Sequence, residues 1–210
     1  VIHPDDEERP FAARWNALVG ALLIEPSIKL VARQAVDYGF LDGDGIYPGN
    51  ERIARQTGLG DKTVREAWHF LRAAEMARRD LRSVWTGTKR LADMYALEIP
   101  ANWKSMPVLG PHAARFTCQQ CGKKFNAPPC NTFLHKQDPH TGRQVPVTNP
   151  ETGLRQVRWA LWKAVFCPAP RNGTSCQQLW EKVNGRWAAD PAACWELFHK
   201  ARDDEWPEPP

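Results

Sequence analysis

The chain has 210 residues, 42% hydrophobic and 25% charged, with a formal net charge of +4; that balance excludes a disordered protein and fits a globular one. The length holds one large or two small domains, each able to bury a core. No apolar run approaches the ~20 residues of a membrane helix, and the acidic opening "VIHPDDEERPF" lacks the apolar stretch of a secretory signal, so a cytoplasmic location is expected.

Charge is unevenly spread. Residues 1–50 carry four basic and eight acidic side chains, 51–90 carry ten and five, and 111–187 carry eleven and three; residues 91–110 net −1 and those from 188 onward net −4. Two basic blocks between acidic ends suggest an anionic polymer as partner, because phosphate neutralisation dominates nucleic-acid affinity. A basic block alone is equally compatible with a solvated face.

In chain order, Pro10 opens a predicted helix, "FAARWNALVGALLI", with Phe11, Trp15, Leu18 and Leu22 on one face. "SIKLVARQAVDYGF" follows, with Ser27 placed to cap it and Ile28, Val31, Ala35 and Val36 inward. "LDGDGIYPG" is a turn-rich loop that lacks the later ligands of a calcium loop. Next comes a short helix carrying Ile53 and Ala54 and ended by Gly58, then a three-residue turn. A longer helix begins at Asp61. Its apolar residues Val64, Ala67, Trp68 and Leu71 share a face, and Lys62, Thr63, Arg65, His69 and Arg72 are expected largely opposite. "MARRDLRSV" then reads as a strand, "WTGTKR" as a turn and "LADMYALEIP" as the returning strand. Short helix, tight turn, longer helix and basic hairpin are the parts of a helix-turn-helix with a wing.

On "DGDGIYPGNERIARQTGL", "KTVREAWHFLRAAE" and "MYALEIP", residues 28–100 resemble the winged helix-turn-helix domains of actinobacterial plasmid and phage regulators and replication proteins. The resemblance covers about a third of the chain. It implies double-stranded DNA as partner, with Lys62, Thr63, Arg65, Glu66, His69 and Arg72 of helix 61–73 toward the groove. Arg and Lys can read guanine, and Glu66 can accept from cytosine. From the wing, Arg78, Arg79, Arg82, Lys89 and Arg90 are expected on phosphates or the minor groove. One departure is Glu75, where such domains usually place Gly, which leaves the exit from the helix open.

Pro100, Pro107, Gly110 and Pro111 interrupt both periodicities. The expected division is therefore residues 1–100, a linker 101–114, a second domain 115–200, and an acidic tail 201–210. The second domain opens on "FTCQQCGKKF", where Cys118-x2-Cys121-Gly122 has the spacing of a zinc knuckle. Cys167 and Cys176, eight residues apart, are the expected other ligands, with Ser175 or Thr174 capping a helix near Cys176. The arrangement describes a zinc ribbon or treble clef, so the fold class is α+β with zinc as cofactor. Six cysteines also permit disulfides, but the Cys-x-x-Cys-Gly pattern favours metal. Cys130, His135 and His140 are substitute ligands, and Cys194, on an amphipathic helix, reads as a small buried hydrophobe.

Between the cysteine pairs, "DPHTGR" and "NPETG" are turn signals separating short strands, and "RQVRWALWKAVF" reads as a strand pair or one helix. Six of the ten tryptophans lie between 159 and 206. Trp159 and Trp162 can stack on bases or fill a small core.

The function these readings favour is a sequence-specific DNA-binding regulator, nucleoid-associated, acting by occlusion or recruitment and not as an enzyme. A plasmid or phage replication or recombination factor needs the same surface. A treble-clef nuclease of the HNH kind would use His135, Asn131 and His140, but the motif spacing is absent. The second domain is alternatively a homodimer or protein-partner module, through its Trp-rich 176–199 segment.

Overall fold

The computed structural model describes residues 2–46, 48–82, 92–110, 112–171, 173–184 and 191–202. It is a mixed α+β protein, and every sheet among the described residues is two-stranded. In chain order the elements are α1 (Phe11–Ala21), α2 (Pro26–Val36), α3 (Asn50–Thr57), α4 (Asp61–Ala73), β1 (Ala77–Leu81) and β2 (Met94–Leu97). There follow β3 (Arg115–Thr117), β4 (Lys124–Asn126), β5 (Asn131–Phe133), β6 (His135–Gln137), β7 (Gln144–Pro146) and β8 (Val157–Trp159). The last are α5 (Trp162–Val165), β9 (Pro170–Arg171), β10 (Thr174–Ser175), α6 (Cys176–Asn184) and α7 (Pro191–Ala201). Among the described residues, no helix is long and apolar enough to cross a membrane.

Two compact units form, and neither is one stretch of chain. Unit 1 holds the N-terminal residues to Gly20, Glu25–Trp103 and Phe133–Arg158; unit 2 holds Ala21–Ile24, Lys104–Thr132 and the chain from Trp159 onward.

In unit 1, α1 buries Trp15, Leu18 and Val19. The Trp15 indole N–H donates to the carbonyl of Ala32 in α2 at 3.0 Å, tying the helices together inside the core. Pro26 occupies the first turn of α2, where its missing N–H has no helical partner to lose. The cap position is Glu25, without a side-chain capping bond, so Ser27 lies inside the helix instead of capping it. Ile28, Val31, Ala35 and Val36 are buried as their spacing predicts, and α2 packs on α3 and α4. Helix α3 ends at left-handed Gly58 (φ 71°) and α4 starts at Asp61, burying Val64, Ala67, Trp68, Phe70 and Leu71.

Glu75 settles the exit from α4. It adopts φ 58°, and the chain closes around it: Glu75 N–H donates to Arg72 at 3.2 Å and Met76 N–H to Leu71 at 2.8 Å. That is the paired bonding of a Schellman motif, with fully buried Met76 and Leu71 as its apolar contact. The left-handed conformation costs a residue with a Cβ about 1–2 kcal/mol, and the exposed Glu75 side chain offers no compensating burial. Glu75→Gly should therefore stabilise unit 1 by about 0.5–1 kcal/mol after glycine's larger unfolded-state entropy is subtracted. Urea denaturation monitored by circular dichroism checks it; a lower midpoint would show that the side chain itself holds the turn.

Strands β1 and β2 pair antiparallel from Ala77↔Leu97 to Leu81↔Met94, with an irregularity between Arg79 and Leu81. Ile46 adds a bridge to Tyr95 through reciprocal backbone bonds of 2.9 and 2.8 Å. The expected turn of this hairpin, with Lys89 and Arg90, lies outside the described residues.

In unit 2, β3 and β4 pair antiparallel across Phe116↔Phe125. Phe116, Ala164, Val165, Cys194, Phe198 and Ala201 form the centre of its core. The ambiguous "RQVRWALWKAVF" stretch is neither a strand pair nor one helix: β8 runs to Trp159 and α5 is a single turn. Trp162 is 6% exposed in the core and donates its indole N–H to Glu181 at 3.1 Å, while half-buried Trp159 packs on the same cluster. Both rings serve packing. Residues 107–109, inside the expected linker, bond to the 21–24 segment through Leu23 N–H to Pro107 and Leu109 N–H to Ala21, each 2.9 Å. Of the expected Trp-rich 176–199 helix, residues 176–184 form α6 and 191–199 belong to α7, while residues 185–190 and the expected tail beyond Arg202 lie outside the described residues.

Candidate nucleic-acid interface and metal centre

The candidate metal centre is built from two devices. The first is the β3–β4 knuckle: Cys118 N–H donates to Lys123 at 2.9 Å and Gly122 N–H to Cys118 at 2.8 Å. Gly122 takes φ 67°, open to a residue without Cβ, and the turn brings Cys118 and Cys121 together. The second is the N-terminus of α6. Ser175 Oγ accepts from Gln178 N–H at 3.1 Å, and Gln178 Oε1 accepts from Ser175 N–H at 2.9 Å. This reciprocal capping box fixes Cys176 as the first residue of the helix. The short β9–β10 pair returns the chain from Cys167 to it.

Together they place the Sγ atoms of Cys118, Cys121, Cys167 and Cys176 within 4.8 Å of one another, with Cys121 and Cys167 3.6 Å apart. Four thiolates at about 2.3 Å from one tetrahedral zinc lie about 3.8 Å from each other, so the four cysteines can hold a metal ion. Burial pushes the Cys118 thiol up, but backbone N–H groups of Cys167, Cys121 and Gln120, with the Cys121 thiol, outweigh it and bring its pKa to about 7. The Cys167 N–H lies 3.4 Å from the Cys118 sulfur. Burial and the neighbouring thiols raise Cys176 to about 12 and also raise Cys167. Crowded thiols oppose each other's ionisation, and a divalent cation relieves that opposition.

The substitute ligands lie elsewhere. Cys130 is fully buried with its sulfur 3.5 Å from the Pro128 carbonyl, and burial pushes its thiol to about 12. Cys194 is buried in the core. His135 and His140 are exposed and do not belong to the cysteine cluster.

On α4 the expected groove-facing residues divide. Lys62, Arg65 and His69 are exposed; Thr63, Glu66 and Arg72 are half-buried. Arg65 pairs with Asp61 one turn earlier at 3.0 Å. Arg65, His69 and Arg72 line one wall of a cleft of about 470 Å³ between α4 and the β1–β2 hairpin, with Arg79 across it. Its floor is the Trp68–Tyr95 stack, 4.1 Å between centroids and 5° from parallel, so Trp68 is core. Burial first, then the neighbouring Arg79, lowers the pKa of Arg72; burial first, then Arg72, lowers that of His69 below its ordinary 6.5. The lowered pKa favours the uncharged His69 ring, which can both donate and accept.

The hairpin arginines are partly neutralised. Arg78 bonds Glu98 at 2.8 Å and also pairs with Asp80. Arg79 faces Asp93 at 3.4 Å, whose carboxylate also accepts from Tyr95 at 3.0 Å. Arg82 is exposed.

Sequence reasoning missed the segment Phe133–Arg158 as part of this surface. Arg155 pairs with Glu66 at 3.0 Å and sits 5.3 Å over the Phe133 ring, while Phe133 meets Phe70 of α4 edge-on at 6.2 Å. Glu66 is therefore engaged by an arginine 89 residues away in sequence. The only signal in the sequence was the repeated Asx-Pro-x-Thr-Gly of 138–142 and 149–153, which marks two similar hairpins but not where they dock.

No protein-family model matches the chain, and no curated protein or solved structure shows detectable similarity to it.

Proposed function

We propose that unit 1 is a winged helix-turn-helix-like reader of double-stranded DNA, with α4 in the major groove, and that unit 2 is a zinc-stabilised module. The observation that carries the reading is the run α3, left-handed Gly58, α4 and an antiparallel hairpin, with Lys62, Arg65 and His69 exposed on the outer face of α4. Exposed Lys, Arg and His side chains on a helix followed by a hairpin suit base edges and flanking phosphates. No site chemistry is needed for this role: the protein occludes or recruits at its DNA site. The four-cysteine cluster suits a structural zinc, since all four tetrahedral positions are taken by protein ligands.

The test is a selection of bound sequences from random duplex DNA at moderate salt, with zinc and without magnesium. A defined motif supports the reading, and a palindromic one indicates a dimer; no enrichment removes it. Arg65→Ala should weaken the preferred site by about 10–100-fold, the loss of one guanine contact, while leaving the melting curve in place. An unchanged preference would remove Arg65 from readout. Replacing Arg78, Arg79 and Arg82 by alanine should flatten the dependence of log affinity on log salt by up to about 2–3. The pairing of Arg78 and Arg79 with acids places the expected value at the lower end. An unaltered slope would separate the hairpin from the phosphates.

A further inference from the structure

We infer that the segment Phe133–Arg158 is a second DNA-contacting arm, docked on α4, which lays the β6–β7 ribbon along the same duplex; the inference rests on the DNA-reading role of α4 proposed above. Its root is the Arg155–Glu66 pair and the Phe133–Phe70 contact. From Leu134, whose carbonyl accepts from Val147 N–H at 2.8 Å, the ribbon runs out through Lys136↔Val145 and Gln137↔Gln144 to the turn at 138–143. Three residues per strand plus the turn carry it about 10–15 Å from its root.

The ribbon has no face that buries a core. Its β6 residues are all exposed, and so are Gln144 and Pro146 of β7. The register puts Lys136 and Val145 on one face and His135, Gln137 and Gln144 on the other, with Arg143 at the end of the turn beside Gln144. Among the described residues neither Lys136 nor Arg143 forms an ion pair. An isolated two-stranded hairpin is only marginally stable in water, and this one is braced at its tip. Asp138 Oδ1 accepts from His140 N–H at 2.8 Å and Thr141 N–H at 3.2 Å, and Gly142 takes φ 66°. Asn149 repeats the bracing, with Glu151 N–H at 2.8 Å and Thr152 N–H at 3.4 Å.

Residue chemistry decides the occupant. No large hydrophobic side chain is exposed among the described residues of 133–158, so the aromatic or aliphatic anchors of a protein-binding hot spot are missing. What the ribbon offers is Lys, Arg, His and Gln, the side chains that bond phosphates and base edges, on a two-stranded element that a major groove can admit. The arm carries four cationic side chains, Lys136, Arg143, Arg155 and Arg158, against Asp138 and Glu151. Its root is held at Glu66, one helical turn along α4 from exposed Lys62 and His69, so one polyanion can meet both.

The test compares the full-length protein with Lys136→Ala/Arg143→Ala on one fluorescent duplex carrying the selected motif, by anisotropy across a salt series. Loss of two phosphate contacts should reduce the log–log salt slope by about 1.8 and keep the ranking of motif variants. Lys136→Arg/Arg143→Lys, which keeps both charges, should restore the slope, and thermal melts confirm that each variant folds. Wild type that binds with a slope unchanged in the double alanine variant overturns the arm and leaves the α4 reading intact. A slope that the charge-keeping variant fails to restore overturns it too. Wild type that binds no duplex overturns both readings at once.

Discussion

Cys118→Ser releases the metal and unfolds unit 2, while the helices of unit 1 persist. The expected size follows from the role of the site. Binding free energy at a structural zinc is folding free energy, about 10–16 kcal/mol at neutral pH in zinc-finger peptides, which is as large as the total stability of about 5–15 kcal/mol typical of a native protein. Cys118 is the residue to change because it joins both devices: its turn is the knuckle, and its sulfur receives the Cys167 N–H beside the second pair. Elemental analysis should fall from one equivalent of zinc to near none, and proteolysis should cut within Lys104–Thr132 and the chain from Trp159 onward while sparing α1 to α4. Chelation of the wild type should do the same. Cys130→Ala is the control: it trims a buried thiol outside the cluster and should keep the metal. A Cys118→Ser protein that retains one equivalent would show that these four cysteines are not the ligand set.

Trp15→Ala is the largest expected effect on unit 1. The side chain is fully buried and donates to Ala32, so its loss leaves a cavity between α1 and α2. Large-to-small changes of this kind cost about 3–5 kcal/mol, a large part of the stability of a small domain. Because α2 is the helix against which α3 and α4 pack, the proposed DNA binding should fall in parallel with folding and recover at low temperature. Trp15→Phe keeps most of the volume and loses the hydrogen bond, so about 1 kcal/mol is expected. Denaturant unfolding measures both; a loss below about 1 kcal/mol for the alanine variant would mean that the core collapses around the gap.

Much of the local structure was readable because it depends on near neighbours. The spacing of Val64, Ala67, Trp68 and Leu71 set the buried face of α4, and Gly58 marked its predecessor's end, since both depend on one turn of backbone. The knuckle cysteines carried their own geometry in a four-residue span. A cap at Ser175 or Thr174 was readable, but not which of the two, nor the bond from Ser175 N–H to Gln178 Oε1 that completes it. Misreadings came where two local signals compete. Ser27 has the chemistry of a cap, but Pro26 beside it already occupies the first turn. In "RQVRWALWKAVF" neither period wins because the chain changes state midway, as β8 gives way to α5.

By itself, then, the sequence determined the elements of the N-terminal half, the faces they bury, the two basic blocks and the Cys118–Cys121 pair with metal-ligand spacing. Each is a statement about charge, period or a short loop, and none requires knowing what lies across the molecule. Only the tertiary structure decided that Glu75 accepts a left-handed turn, that Cys176 and not Cys130 joins the sulfur cluster, and that Trp162 is core. It alone placed Phe133–Arg158 with unit 1, where Arg155 holds Glu66. The reason is physical: an ion pair between residues 89 positions apart leaves no periodic trace in the chain, because its partners are chosen by how packed surfaces meet and not by the backbone between them.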